Sequence, residues 1–158
     1  MKNLILKLML NYYLFMASTK FWLYGAYGVS NVLKNTPYPF IQPILLKFGA
    51  TVGKGCVIDT GIQIHRPDSK IPFKNLFLGD KVYLGHNILI DLTSKVEINN
   101  FSAFGANCQI WTHTGDWTFD KTDEKEKINP VKIGTSCIIY SGAIISQGVE
   151  IMDYSRVG

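Results

Sequence analysis

Every sixth residue from Ile133 onward is aliphatic: Ile133, Ile139, Ile145, Ile151 and Val157. This beat excludes most architectures. An α-helix turns once in 3.6 residues, so a period of six scatters such side chains around it, while a plain strand has a period of two. Six suits a solenoid in which each short flat segment ends in a bend and sends one aliphatic side chain inward. The beat also runs through Val52, Ile58 and Ile64, then Leu78, Leu84, Ile90 and Val96. After a slip of two residues it continues through Ile98, Phe104 and Ile110. Glycine follows the inward residue at Gly53, Gly79, Gly85, Gly105, Gly134 and Gly158. A tight bend there is expected to need positive φ or close backbone approach.

The chain has 158 residues, enough for one domain with a real core. Its net charge of +4 is slight and scattered. It suits an anionic small ligand such as a coenzyme phosphate and argues against nucleic acid as the partner. Cys56, Cys108 and Cys137 each stand four residues after an inward position. That is the slot filled by Ala143 and Val149 in later repeats, so all three read as small buried hydrophobes. No CxxC occurs, and a reduced, cytoplasmic setting is the expectation.

Residues 1–47 form a lead-in and 48–158 the repeat domain. Residues 3–16 are strongly apolar, but Lys7 and Asn11 interrupt them, and the run falls short of the ~20 residues of a spanning helix. Residues 2–34 are predicted as one or two short helices. Their apolar face is expected to pack on the solenoid end, on a partner subunit or, through residues 2–24, on a membrane surface. Residues 35–47 carry Pro37, Pro39 and Pro43 and are predicted to be extended. The beat breaks over 65–77 and again over the polar stretch 112–130. The second break reads as an insertion projecting from one face, often the binding face. Val157-Gly158 opens a repeat, so the solenoid is expected to continue beyond this sequence.

The run Pro130-Val131-Lys132-Ile133-Gly134, then Ser141-Gly142-Ala143 and Gly148-Val149, resembles the closing repeats of hexapeptide-repeat acyltransferases. The likeness is greatest to maltose, galactoside and polysaccharide O-acetyltransferases. It covers about residues 48–158 and departs from the pattern at Ile138 and Tyr140. The resemblance implies a mainly β fold: a left-handed parallel β-helix with a short helical N-terminal segment and a protruding loop. It also implies a homotrimer, with acetyl-CoA as co-substrate in the groove between protomers and a sugar or glycan precursor as acceptor.

His113, at the end of a regular coil and just before the insertion, is the implied general base. Imidazole, with an ordinary pKa near ~6.5, suits the removal of a hydroxyl proton at neutral pH. Ser141, Gly142 and Ala143 are implied to line the pantetheine groove, and backbone N–H groups around Ser141-Gly142 to hold the oxyanion. Asn87 and Asp91 match acceptor-binding positions more loosely. Trp117 is read as stacking on a sugar and, with Asp116, as orienting His113 or packing as a lid. Each of these has a plainer reading: Asn87 as a turn residue, Asp91 as a solvated coil edge, Ser141 as a small corner residue.

Two other readings stay open. One is a zinc-dependent, carbonic anhydrase-like trimer of the same fold; the other is a non-catalytic binding module. Zinc needs three converging protein ligands. The spacing of His65, His86 and His113 suggests no such set, so no metal is expected. His65 and His86 read as surface or interface residues.

Overall fold

The computed structural model describes residues 1–115 and 126–158. The repeats wind into three parallel sheets. The first face holds β1 (Thr51–Val52), β4 (Leu76–Leu78), β7 (Val96–Ile98), β12 (Val131–Ile133) and β15 (Glu150–Ile151). The second holds β2 (Val57–Ile58), β5 (Tyr83–Leu84), β8 (Ala103–Phe104), β13 (Ile138–Ile139) and β16 (Arg156–Val157). The third holds β3 (Gln63–His65), β6 (Leu89–Asp91), β9 (Gln109–Ile110) and β14 (Ile144–Ile145). Successive strands visit the three faces in turn, so the chain is a parallel β-helix.

The sixfold beat is the register of this helix. Ile64 lies beside Ile90, Ile90 beside Ile110, and Ile110 beside Ile145. Ile58, Leu84, Phe104, Ile139 and Val157 form a like ladder on the second face. Interior members of these ladders are fully buried, Ile90 and Ile110 among them. Backbone N–H groups at the coil edges bond to carbonyls on adjacent coils, as Gly105 N does with Ile139 O at 2.8 Å. The slip of two residues is no break. Val96 and Ile98 occupy one strand, two residues apart, and both point inward, like Val131 and Ile133.

The three cysteines occupy the buried slot expected of them. Each thiol donates to a carbonyl of the next coil: Cys56 to Gly79 at 3.0 Å, Cys108 to Tyr140 at 3.1 Å and Cys137 to Met152 at 3.1 Å. Burial pushes the Cys56 and Cys108 thiols up from their ordinary pKa, which keeps them neutral.

At the glycines after the inward residues close approach holds and positive φ does not. They do not take positive φ; the left-handed residue comes three after the inward one, as at Lys81, Asn87, Asn107, Ser136 and Tyr154. Close approach is what demands glycine. A Cβ on Gly105 would stand 2.6 Å from the Ser141 backbone nitrogen on the next coil.

The start of the lead-in agrees with expectation. Residues Lys2–Lys34, α1, comprise two helices joined at Gly25, whose φ of 63° and ψ of −155° leave the helical region. Leucine, methionine, lysine and alanine favour helix, and no proline intervenes before Pro37. The stretch expected to be extended differs from expectation: within it Ile41–Lys47 form a helix, α2. Pro43 is tolerated because it falls in the first turn, where no intrahelical N–H bond is lost. Ile41, Ile44 and Leu45 of α2 are buried, with Phe21, Phe48 and Phe73 packed edge to face beside them. One face of the lead-in thus closes the first coil.

Steps from the first face to the second, and from the second to the third, are six residues in every coil. From the third face back to the first, the step is six only between Ile145 and Ile151. It is longer after Ile64, Ile90 and Ile110. All the longer steps therefore fall at one corner of the solenoid. The described ends of the longest excursion, β10 (His113–Thr114) and β11 (Lys127–Ile128), pair antiparallel.

Ile90→Ala removes the middle of a stacked ladder and should cost about 2–5 kcal/mol. Met152→Ala, on the exposed surface, should stay within about 0.5 kcal/mol. Urea unfolding of the two variants beside the parent checks the difference.

Candidate active site

The corner with the longer steps gathers three side chains that are far apart in sequence. His65 and Asp91 are register partners at the ends of β3 and β6. His113 follows Trp111 and Thr112 beyond β9.

Asp91 is fully buried. A buried carboxylate is costly unless its oxygens are satisfied, and here both are. Oδ2 accepts from Thr112 N at 2.9 Å, from the Thr112 hydroxyl and from His113 Nδ1 at 2.7 Å. Oδ1 accepts from the Thr93 hydroxyl at 2.8 Å. Burial alone pushes the Asp91 carboxyl up. The hydrogen bonds from Thr112, His113 and Thr93 outweigh it and hold the group below the ordinary carboxylate range. Asp91 is therefore ionised at neutral pH. It selects the tautomer of His113 that carries its proton on Nδ1 and leaves Nε2 as the proton acceptor.

The His113 side chain keeps only 12% of its surface exposed. Its Nε2 lies 3.9 Å from Glu126 Oε1, and Glu126 is in turn paired with Arg66. Beside the imidazole opens a cleft of about 490 Å³, lined by Trp111, His113, Thr114, Gly115, Ser146 and Gln147. Trp111 is fixed by its Nε1 donating to Gln109 Oε1 at 2.9 Å.

His65 is not an ordinary surface residue. Its ring stacks on His113, with centroids 5.5 Å apart and planes 19° apart, and meets Trp111 edge to face. Burial lowers the His65 pKa, with help from the nearby His113 and Arg66 and against the pull of Asp91. It thus favours the neutral form. The expectation of no converging ligand set also needs correcting: His65, Asp91 and His113 bring one ligand atom each within 4.8 Å of one another. Nonetheless, both Asp91 oxygens already accept hydrogen bonds, and a cation would have to displace them.

Among the described residues, only Asp91 of the other expected residues meets His113. Asp91 holds His113 and is no solvated edge, and its burial removes it from contact with an acceptor. Asn87 takes the left-handed corner position with φ of 57° between β5 and β6. Ser141, Gly142 and Ala143 precede β14, whereas the cleft residues Ser146 and Gln147 follow it. The N–H of Gly142 donates to Ala106 O at 2.9 Å and that of Ala143 to Tyr140 O at 3.2 Å, so neither serves an oxyanion. Trp117 and Asp116 lie outside the described residues. The sequence reading missed Thr93, Thr112, His65, Arg66 and Glu126. The available signal was that every break in the beat falls at one corner.

Asp91 has a depressed folded-state pKa, so its stabilising effect is present above the ordinary carboxylate value of about 3.9 and fades as pH falls through the folded value. Asp91→Asn should lose about 1–3 kcal/mol at neutral pH and show a smaller further loss on acidification. Urea unfolding from pH 7 down to pH 3 is the check.

The sequence matches no family model and no curated protein. Its structure matches solved proteins. A hexapeptide-repeat acetyltransferase of Vibrio cholerae O1 biovar eltor, complexed with acetyl coenzyme A, aligns with a TM-score of 0.70 at 15% identity, over 84% of this chain and 70% of that one. A galactoside acetyltransferase in complex with coenzyme A aligns at 0.68 and 18%, over 93% and 68%. A maltose O-acetyltransferase from Clostridium difficile 630 aligns at 0.58 and 22%, over 84% and 73%. Likeness at such identities is a likeness of fold, and in its fold this chain is a hexapeptide-repeat, left-handed β-helix like those acetyltransferases.

Proposed function

We propose that this protein is a CoA-dependent O-acetyltransferase that moves the acetyl group of acetyl-CoA to a hydroxyl of a sugar or glycan precursor. The observation that carries the reading is the contact of 2.7 Å between His113 Nδ1 and the buried Asp91 carboxylate, at the edge of an open cleft. The solved proteins of the same fold add support, since two of them hold acetyl coenzyme A or coenzyme A.

In this reading His113 Nε2 takes the proton of the acceptor hydroxyl as its oxygen attacks the thioester carbonyl carbon. The new C–O bond gives a tetrahedral oxyanion. When the carbonyl re-forms, the C–S bond breaks, and the imidazolium returns the proton to the departing thiolate. Asp91 stabilises the imidazolium and keeps the ring oriented. The neutral His65 ring stacked on it adds no charge that would oppose protonation. Trp111 offers an apolar wall for a sugar ring.

We place the co-substrate in a groove between protomers of a homotrimer. Ser141, Gly142 and Ala143 would approach the cleft of a neighbouring copy, because within one chain they lie at the opposite end of β14 from the cleft residues Ser146 and Gln147. The exposed Tyr140 and Ile144 beside them suit such an interface.

A thiol-release assay with acetyl-CoA against a panel of sugars tests the reading. Acceptor-dependent release is expected, and His113→Ala should lower kcat/KM by about 10²–10⁴-fold while the fold persists by circular dichroism. Unchanged turnover in that variant defeats the role of His113. The cluster of His65, Asp91 and His113 also calls for a metal control. Activity should survive dialysis against a chelator; loss that added zinc restores would favour the zinc enzyme instead.

A further inference from the structure

We propose that α1 docks this protein flat on an anionic lipid bilayer, through a stripe of Leu4, Leu8, Tyr12, Phe15 and Trp22. The helix has two apolar faces. Tyr13, Leu14, Ala17 and Phe21 form the inner one, packed on the core. The proposed stripe follows at helical spacing on the other side. Each of its members is more than half exposed, Trp22 by 82%. Residues 1–9 are exposed without exception, so the first turns stand clear of the body.

Charge names the occupant. Residues 1–58 hold six lysines, Lys2, Lys7, Lys20, Lys34, Lys47 and Lys54, and no acidic residue; all twelve Asp and Glu come from Asp59 onward. At 3.6 residues per turn, Lys7 falls on one side of the stripe and Lys2 and Lys20 on the other. An apolar, aromatic stripe flanked by lysines is the pattern of a helix lying in the headgroup plane, with ammonium groups reaching up to lipid phosphates. Beside the stripe, α1 folds back after Gly25 around a cleft of about 310 Å³ that Tyr12, Met16, Lys20, Asn31 and Asn35 help to line. One ammonium and two carboxamides, with no carboxylate, suit a phosphate headgroup there. A second copy of this helix laid on the first would bring lysines against lysines. Among the described residues no helix is long and apolar enough to cross a membrane, so α1 lies on the surface and does not span.

Sedimentation of the full chain with vesicles tests this without any readout of acetyl transfer. Vesicles of phosphatidylglycerol mixed with phosphatidylcholine should be bound about tenfold or more tighter than vesicles of phosphatidylcholine alone, and less so as salt rises. Joint Phe15→Ser and Trp22→Ser substitution should weaken binding by about tenfold or more, with the fold intact by circular dichroism. Joint Lys2→Gln, Lys7→Gln and Lys20→Gln substitution should weaken it only on the anionic vesicles. Brominated lipids should quench fluorescence in the parent and much less in Trp22→Phe. A parent that ignores both vesicle types, or variants that bind as well as the parent, would overturn the proposal. So would stripe variants that change only the oligomeric state, which would mean that a second copy covers the stripe.

Discussion

The structure depends on one repeated contact: an aliphatic side chain stacked on its counterpart one coil away. Ile64, Ile90, Ile110 and Ile145 make such a column, in parallel register and out of water. Parallel pairing between coils satisfies the backbone, and the column supplies apolar burial of about 1.5–3 kcal/mol per side chain. Because each coil rests only on its neighbours, the stack tolerates a coil of irregular length as long as the column stays in line. That tolerance makes room for a site.

The irregular lengths are concentrated at one corner. After Ile64, Ile90 and Ile110 the chain takes more than six residues to return to the first face, and the side chains next in line are His65, Asp91 and Trp111. In a regular coil the outward residue after an inward isoleucine meets solvent. At this corner, Asp91 is enclosed by Thr93, Thr112 and His113 and becomes a buried anion with its hydrogen bonds filled. The same network that makes the carboxylate tolerable also orients the imidazole, so stability and proposed chemistry share one set of bonds. The N-terminal helix stands at the other extreme. Its inner face belongs to the core, while its outer face carries the exposed Leu4, Leu8, Tyr12, Phe15 and Trp22.

Much of this was legible in the sequence, for a physical reason. The coil repeat is local, so the beat of Ile133, Ile139, Ile145 and Ile151 reports the strand spacing directly. The cysteine slot follows from the same count. The place of His113 at the start of an excursion was legible because it ends a regular run. Pro43 misled the reading of α2, since a proline in a first helical turn looks in sequence like a breaker.

By itself the sequence determined the period, the inward residues and the position of the excursions. Tertiary structure alone decided which distant residues share a corner. His65, Asp91 and His113 meet because coils of unequal length are brought into register by their isoleucine columns. It also decided that Asp91 is buried and that one side of α1 is covered while the other is bare. Burial and partnership are set by what packs from elsewhere in the chain, and no local spacing carries that information.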